Sequence, residues 1–358
     1  LNLEELGWNS LFQNQSVYYQ QENLLPARVI FCSRGLYRLA SENGELWAEI
    51  AGSLRYKSLE SEDLPVCGDW VLADRALDGN RSVVRVLLSR NTQFVRQQAG
   101  TTPGPQVVAA NVDTICIVCG LDSDFNLRRI ERYLTIAWES GARPVILLNK
   151  SDICDDIPTR MAETMSLAPG VPVLAGSAEN GSGMDELLRY TGCGLTLALM
   201  GSSGVGKSSI VNRLVGSPIQ EVHETDAETG RGIHTTAARH LFMLPTGGLV
   251  MDTPGMRELR AWSVDSGVDA VFEDIKCLAE GCRYRNCSHQ SEPGCQVSAA
   301  IACGELDAAR FANYQKLSKE ARYIELKDAH SASWVERERW KKIAKQARKG
   351  PSKHSHWE

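Results

Sequence analysis

The chain has 358 residues, 43% of them hydrophobic and 23% charged, enough for two or three domains with real cores. Its formal net charge of −5 gives no global attraction to nucleic acid, so any basic surface must be local. No apolar run approaches the ~20 residues of a membrane span. The start, LNLEELGWNS, has no basic-then-apolar leader, so a soluble cytoplasmic protein without membrane contact is expected.

Up to about residue 100, short alternating runs (ARVIFCSRGLYRLA, GELWAEIAGSLRYKS, GDWVLAD, RSVVRVLLS) are broken by Gly, Asn and Asp, which predicts a small all-β barrel. QQAGTTPGPQ, residues 97 to 106, reads as a linker. From Val107 strands and helices alternate. Strands are expected at Thr114 to Val118, Pro144 to Leu148, Val171 to Ala175 and Leu195 to Met200, and helices at Leu127 to Ser140, Gly183 to Tyr190 and Ser209 to Val215. That alternation predicts a parallel α/β sheet. After about residue 260 the chain turns helical.

Gly201, Ser202, Ser203, Gly204, Val205, Gly206, Lys207 and Ser208 satisfy G-x-x-x-x-G-K-[ST], after an apolar strand and before a helix that Ser209 opens. Glycines let successive N–H groups curl around phosphate oxygens, and the helix N-terminus adds partial positive charge. Lys207 is expected at the β- and γ-phosphates and Ser208 on Mg²⁺. GLVMDTPG ends a strand at Asp252, a candidate for the Mg²⁺ shell, with the Gly255 N–H toward the γ-phosphate.

Asn149, Lys150, Ser151 and Asp152 follow the apolar strand PVILL. Guanine shows two donors, N1–H and its 2-amino group. One carboxylate, Asp152, can accept both, and adenine lacks that pair. The Lys150 stem can cover the base, and Ser177 and Ala178 after the next strand can offer an N–H to guanine O6. Here the guanine motif precedes the phosphate loop, the reverse of Ras-like chains. The same sheet forms if the usual ends are joined and new ones opened.

Between Lys207 and Asp252 lies ETGRGIHTTAARH, residues 228 to 240, where Thr235 and Thr236 are candidates to complete Mg²⁺ coordination. Met256 stands where Ras-like enzymes keep a water-orienting Gln. His234 is then a catalytic candidate beside Lys207, although a lone histidine in a glycine-rich loop is more often just solvated.

The eleven cysteines do not read as a disulfide framework. Cys116 and Cys119 sit in an apolar run as strand residues. Cys282, Cys287, His289 and Cys295 supply three thiolates and an imidazole, a closed set for one structural zinc, with Cys277 as an alternative ligand. A catalytic zinc would need an open position. Residues 337 to 349, RERWKKIAKQARK, carry seven Lys or Arg and one Glu. They suit RNA phosphates, or form a solvated amphipathic helix.

Taken together the chain resembles the RsgA (YjeQ/EngC) family of circularly permuted GTPases that depend on the small ribosomal subunit. The likeness runs through Gly35 to Arg38, Gly68 and Asp69, Ala109 to Asp113, Asn149 to Asp152, Gly201 to Ser208, Gly232 to Thr236, Asp252 to Arg257 and the four zinc-type ligands. It implies an N-terminal OB-fold β-barrel over 1–100, a central circularly permuted P-loop GTPase over 107–262, and a C-terminal zinc-binding helical domain over 263–358. It also implies hydrolysis of the GTP phosphoanhydride with Mg²⁺ during late maturation of the small (30S) ribosomal subunit. That subunit would stimulate turnover, with rRNA contacts, GTP and GDP as ligands, a monomeric state, and help from the histidine of the G-x-H-T-T segment. Two other readings fit the motifs: a GTPase of another pathway, and an RNA-binding scaffold that holds GTP without hydrolysing it.

Overall fold

The computed structural model describes residues 1–22, 24–33, 35–57, 63–74, 81–97, 105–217, 239–252, 267–290 and 292–322. His234, Thr235, Thr236, Gly255, Met256 and the basic tail lie outside these residues.

A short helix α1 (Ser10–Ser16) opens the chain, capped by Asn9, whose side chain accepts the Leu11 N–H at 2.9 Å. Five strands follow: β1 (Leu25–Ser33), β2 (Leu36–Ser41), β3 (Gly44–Ile50) and, after helix α2 (Gly52–Lys57), β4 (Trp70–Ala73) and β5 (Ser82–Leu87). They pair in the order β1-β2-β3-β5-β4 and close through β1 and β4. This is the strand order of an OB-fold. Alternate side chains Val29, Leu39, Ala48, Val71 and Val84 fill the interior.

The expected linker is partly structured. Gln97 ends β6 (Gln93–Gln97), and β7 (Pro105–Ala110) pairs with it as a hairpin. Then come β8 (Thr114–Gly120), α3 (Leu127–Ser140), β9 (Arg143–Asn149), α4 (Ile157–Leu167), β10 (Val173–Ala175), α5 (Met184–Leu188), β11 (Thr196–Met200), α6 (Lys207–Val215), β12 (Arg239–Met243) and β13 (Leu249–Asp252). Strands β10-β9-β8-β11-β13 are parallel, and β12 joins antiparallel. The strands β8 and β9 are buried on both faces, as parallel strands between helices must be. α3 shows why its sequence is helical. Asn126 caps it, Gly141 ends it in the left-handed region, and Ile130, Tyr133, Leu134 and Ala137 form one buried stripe.

The barrel and the parallel sheet are continuous. β1 closes the barrel with its first half, Leu25 to Arg28 against β4, and pairs with β12 through its second half, Phe31 with His240 and Cys32 with Arg239. A bulge between Val29 and Phe31 separates the two roles. After β13 the described chain is helical: α7 (Asp269–Val271), α8 (Glu273–Glu280), α9 (Gln296–Cys303) and α10 over 308–322. Among the described residues no helix is long and apolar enough to cross a membrane.

Candidate nucleotide and metal sites

Because β8, β9, β10, β11 and β13 are parallel, their carboxyl ends open on one edge of the sheet, where ligands of such sheets bind. That edge gathers Asn149 to Asp152 after β9, Ser177 and Ala178 after β10, Gly201 to Ser208 after β11, and Asp252 at the end of β13. The phosphate loop leads straight into α6, whose first residues are Lys207, Ser208 and Ser209.

Asn149 holds three of these segments together. It is buried, its amide donates to Val205 O at 2.7 Å, and its Oδ1 accepts the Ala178 N–H at 3.0 Å. A Cβ on Gly206, whose φ is +98°, would collide with the same amide, so the loop needs glycine there. The Ala178 N–H, expected to meet a base oxygen, is thus already donated to Asn149. Ser177 is buried and its hydroxyl accepts the Glu179 N–H at 3.2 Å, which shapes the turn. Arg213 of α6 reaches Ala178 O at 3.1 Å and Glu179 O at 2.5 Å, and so ties this turn to the phosphate-loop helix. No motif in the sequence singles out Arg213.

Lys207 Nζ donates to Gly201 O at 2.9 Å and Ser202 O at 2.5 Å, so the ammonium lies along the loop it is expected to serve. Gly201 packs tightly on β8, since a Cβ there would come within 2.5 Å of Val118 O. Ser203 Oγ is buried without a partner among the described residues. Gly204, with φ +74°, is exposed on the loop. Lys150 has φ +67°, uncommon for a side-chain-bearing residue, and its ammonium meets Asp122 Oδ2 at 2.6 Å. Asp152 is exposed at the mouth of the site. Asp252 stands directly across from His240 in the β12–β13 ladder. Burial lowers the His240 pKa, and the Asp252 charge opposes that shift.

Cys282, Cys287, His289 and Cys295 bring their ligand atoms within 4.8 Å of one another. The Cys282 and Cys295 sulfurs are 3.9 Å apart, and His289 Nδ1 lies 3.6 Å and 3.4 Å from them. A tetrahedral zinc with ordinary Zn–S and Zn–N bonds needs about 3.8 Å between sulfurs and about 3.6 Å between sulfur and nitrogen. The four therefore fit one such ion. Cys277 is exposed and stands outside the group. Cys295 caps α9 and accepts the Ser298 N–H at 3.3 Å. Burial works against its thiolate, but the Ser298 and His289 hydrogen bonds bring its pKa down to about 6.

The permuted order of the segments, with the guanine-type loop on β9 ahead of the phosphate loop on β11, defines the class: a circularly permuted P-loop GTPase fold. The RsgA GTPase family model matches residues 87–262. The small ribosomal subunit biogenesis GTPase RsgA of Syntrophotalea carbinolica is 43% identical over 361 residues, covering 99% of each chain. Its namesake from Opitutus terrae is 41% identical over 367 residues, covering 100% of each. The crystal structures of YjeQ from Thermotoga maritima (TM-score 0.60, 24% identity, 83% of this chain and 98% of that one) and of YloQ, a circularly permuted GTPase (TM-score 0.57, 21% identity, 84% and 96%), share the fold. The chain belongs to the RsgA GTPase family.

Proposed function

We propose that this chain binds GTP at the β-sheet edge, hydrolyses its terminal phosphoanhydride, and acts in late maturation of the small ribosomal subunit, which stimulates turnover. The observation that carries the reading is the Asn149 tie between the phosphate loop and the Ser177–Ala178 turn, because it brings a phosphate reader and a guanine reader into one site. Relatives that match end to end carry the name small ribosomal subunit biogenesis GTPase RsgA.

In this reading the loop N–H groups of Gly204 to Ser208 and the Lys207 ammonium hold the phosphates, and Asp152 selects guanine. Ser208, Asp252 and one of Thr235 and Thr236 would hold Mg²⁺, which neutralises phosphate charge when bound. His234 orients the attacking water in place of the glutamine that Met256 lacks. The Cys282, Cys287, His289 and Cys295 group holds one structural zinc, since all four positions of a tetrahedron are filled by protein. Divisions near residues 100 and 262 separate an RNA-contacting barrel, the GTPase and the zinc module. The protein works as a cytoplasmic monomer, and the tail at 337–349 adds rRNA contact.

GTP turnover measured with and without purified small subunits tests the core of this reading. Stimulation is expected, with His234→Ala removing most of it while GTP affinity stays near that of the parent. Equal turnover with and without subunits would overturn the partner. Full stimulation of His234→Ala would make that histidine a bystander.

A further inference from the structure

The loop over 121–126, between β8 and α3, carries no nucleotide motif, yet it grips both nucleotide-binding segments. The Leu121 N–H donates to Asn149 O at 2.8 Å. Asp122 Oδ2 receives the Lys150 ammonium at 2.6 Å, and Oδ1 receives the Asp124 N–H at 3.0 Å. Asp124 in turn accepts from the Ser202 hydroxyl of the phosphate loop and pairs with Arg129 on α3. A Cβ on Gly120 would come within 2.6 Å of Asp122 Oδ1, so glycine leaves the carboxylate its place. Burial opposes ionisation of Asp122, but Lys150 and the Asp124 N–H outweigh it and hold the carboxyl below its usual range.

Lys150 is thus constrained twice. Its backbone sits in the left-handed region at φ +67°, and its ammonium is anchored, although its four-carbon stem would otherwise sample many rotamers. Strain of this kind persists only where the surroundings over-determine it, and it clusters at ligand sites.

Resting on the assignment of Asn149 to Asp152 as the guanine reader, we propose that Asp122 is a positioning residue for guanine nucleotides: it anchors the Lys150 ammonium so that the stem is already laid out to cover the base. Ordering the lysine before binding removes that cost from the binding step. The base is gripped equally in the ground and transition states, so the benefit appears in affinity and KM rather than in kcat.

The test uses the full chain with mant-GDP titration, unstimulated GTP turnover and thermal melting. Asp122→Ala is expected to weaken mant-GDP binding and raise KM for GTP by roughly three- to tenfold, the scale of a partly exposed charge-assisted contact. The value of kcat should stay within about twofold. Asp122→Ala combined with Lys150→Ala should bind no more weakly than Lys150→Ala alone, because the aspartate acts through the lysine. Unchanged affinity in Asp122→Ala overturns the proposal. So do losses that multiply in the double variant, or a lowered melting temperature with such multiplication, since those describe a loop brace. Asp152→Asn separates the underlying assignment. A switch toward xanthosine nucleotides there with a silent Asp122→Ala removes Asp122 alone, whereas an unchanged guanine preference removes the guanine site and this proposal together.

Discussion

Arg28 of the barrel donates to Thr196 Oγ1 at 2.8 Å, and Thr196 is the first residue of the strand that runs into the phosphate loop. The guanidinium is 1% exposed and also serves Asn111 O at 2.8 Å, Gly68 O at 3.3 Å and Leu6 O. One planar fork therefore joins the N-terminal segment, the barrel and the parallel sheet. Burial lowers its pKa to about 10, with the Asp113 charge opposing. Arg28→Ala is expected to cost about 3–5 kcal/mol in urea unfolding of the full chain, because four buried acceptors lose their donor. Arg28→Lys should recover little of it, since an ammonium cannot reach the same spread of acceptors.

Asn149 should be as exacting on the binding side. Asn149→Ala leaves Val205 O and the Ala178 N–H without their partner, at about 1–3 kcal/mol for each. GDP affinity measured by calorimetry is expected to fall roughly 100-fold, with the fold retained. Gly206→Ala, which drives a Cβ into that amide, should show a similar loss. Parent-like affinity in both would mean that the loops hold their shape without the asparagine.

Metal analysis should find about one zinc per chain, and Cys287→Ser should lose it while GDP binding persists. Acidification should release the ion as well, because protons compete for the thiolates. Retained zinc in Cys287→Ser would point to a different fourth ligand.

Buried Glu131 on α3 receives Arg128 at 2.8 Å, Arg310 at 2.7 Å and Asn313 at 2.6 Å. Arg310 is also shared with Asp274 at 2.9 Å. This carboxylate fastens the C-terminal helices to the helix that begins beside the phosphate loop. Glu131→Ala is expected to cost about 2–4 kcal/mol, lessened by the contact Arg310 keeps with Asp274. Faster amide exchange over 269–322 than over 143–149 would locate that loss, and uniform exchange would argue against a local fastening.

What the sequence made legible is whatever local chemistry dictates. The α3 stripe and the strands ending in Asn149 and Met200 follow from periodicity, from apolar runs and from the glycines that a phosphate loop requires. The metal group follows from ligand spacing, and its geometry separates Cys277 from the other four. The contacts that cross the chain were not legible. Arg28 sits in ARVIFCS and looks like an ordinary strand cation, because its four acceptors come from residues as distant as Thr196. Asp122 and Asp124 belong to no motif, and only folding brings them to Lys150 and Ser202. The antiparallel β12 is not legible either, because five residues of mixed polarity, RHLFM, carry too short a period to read.

The pairing of Phe31 with His240 has a consequence for solubility. Without it, β12 would be the outer strand of the parallel sheet, with a row of unpaired N–H and C=O groups available to a neighbouring molecule. At the opposite side the last strand, β10, is only three residues long, too short to template much pairing. The barrel thus acts as a guard over the sheet's one longer margin. A chain cut so that β1 is missing should self-associate in light scattering even where it still binds nucleotide.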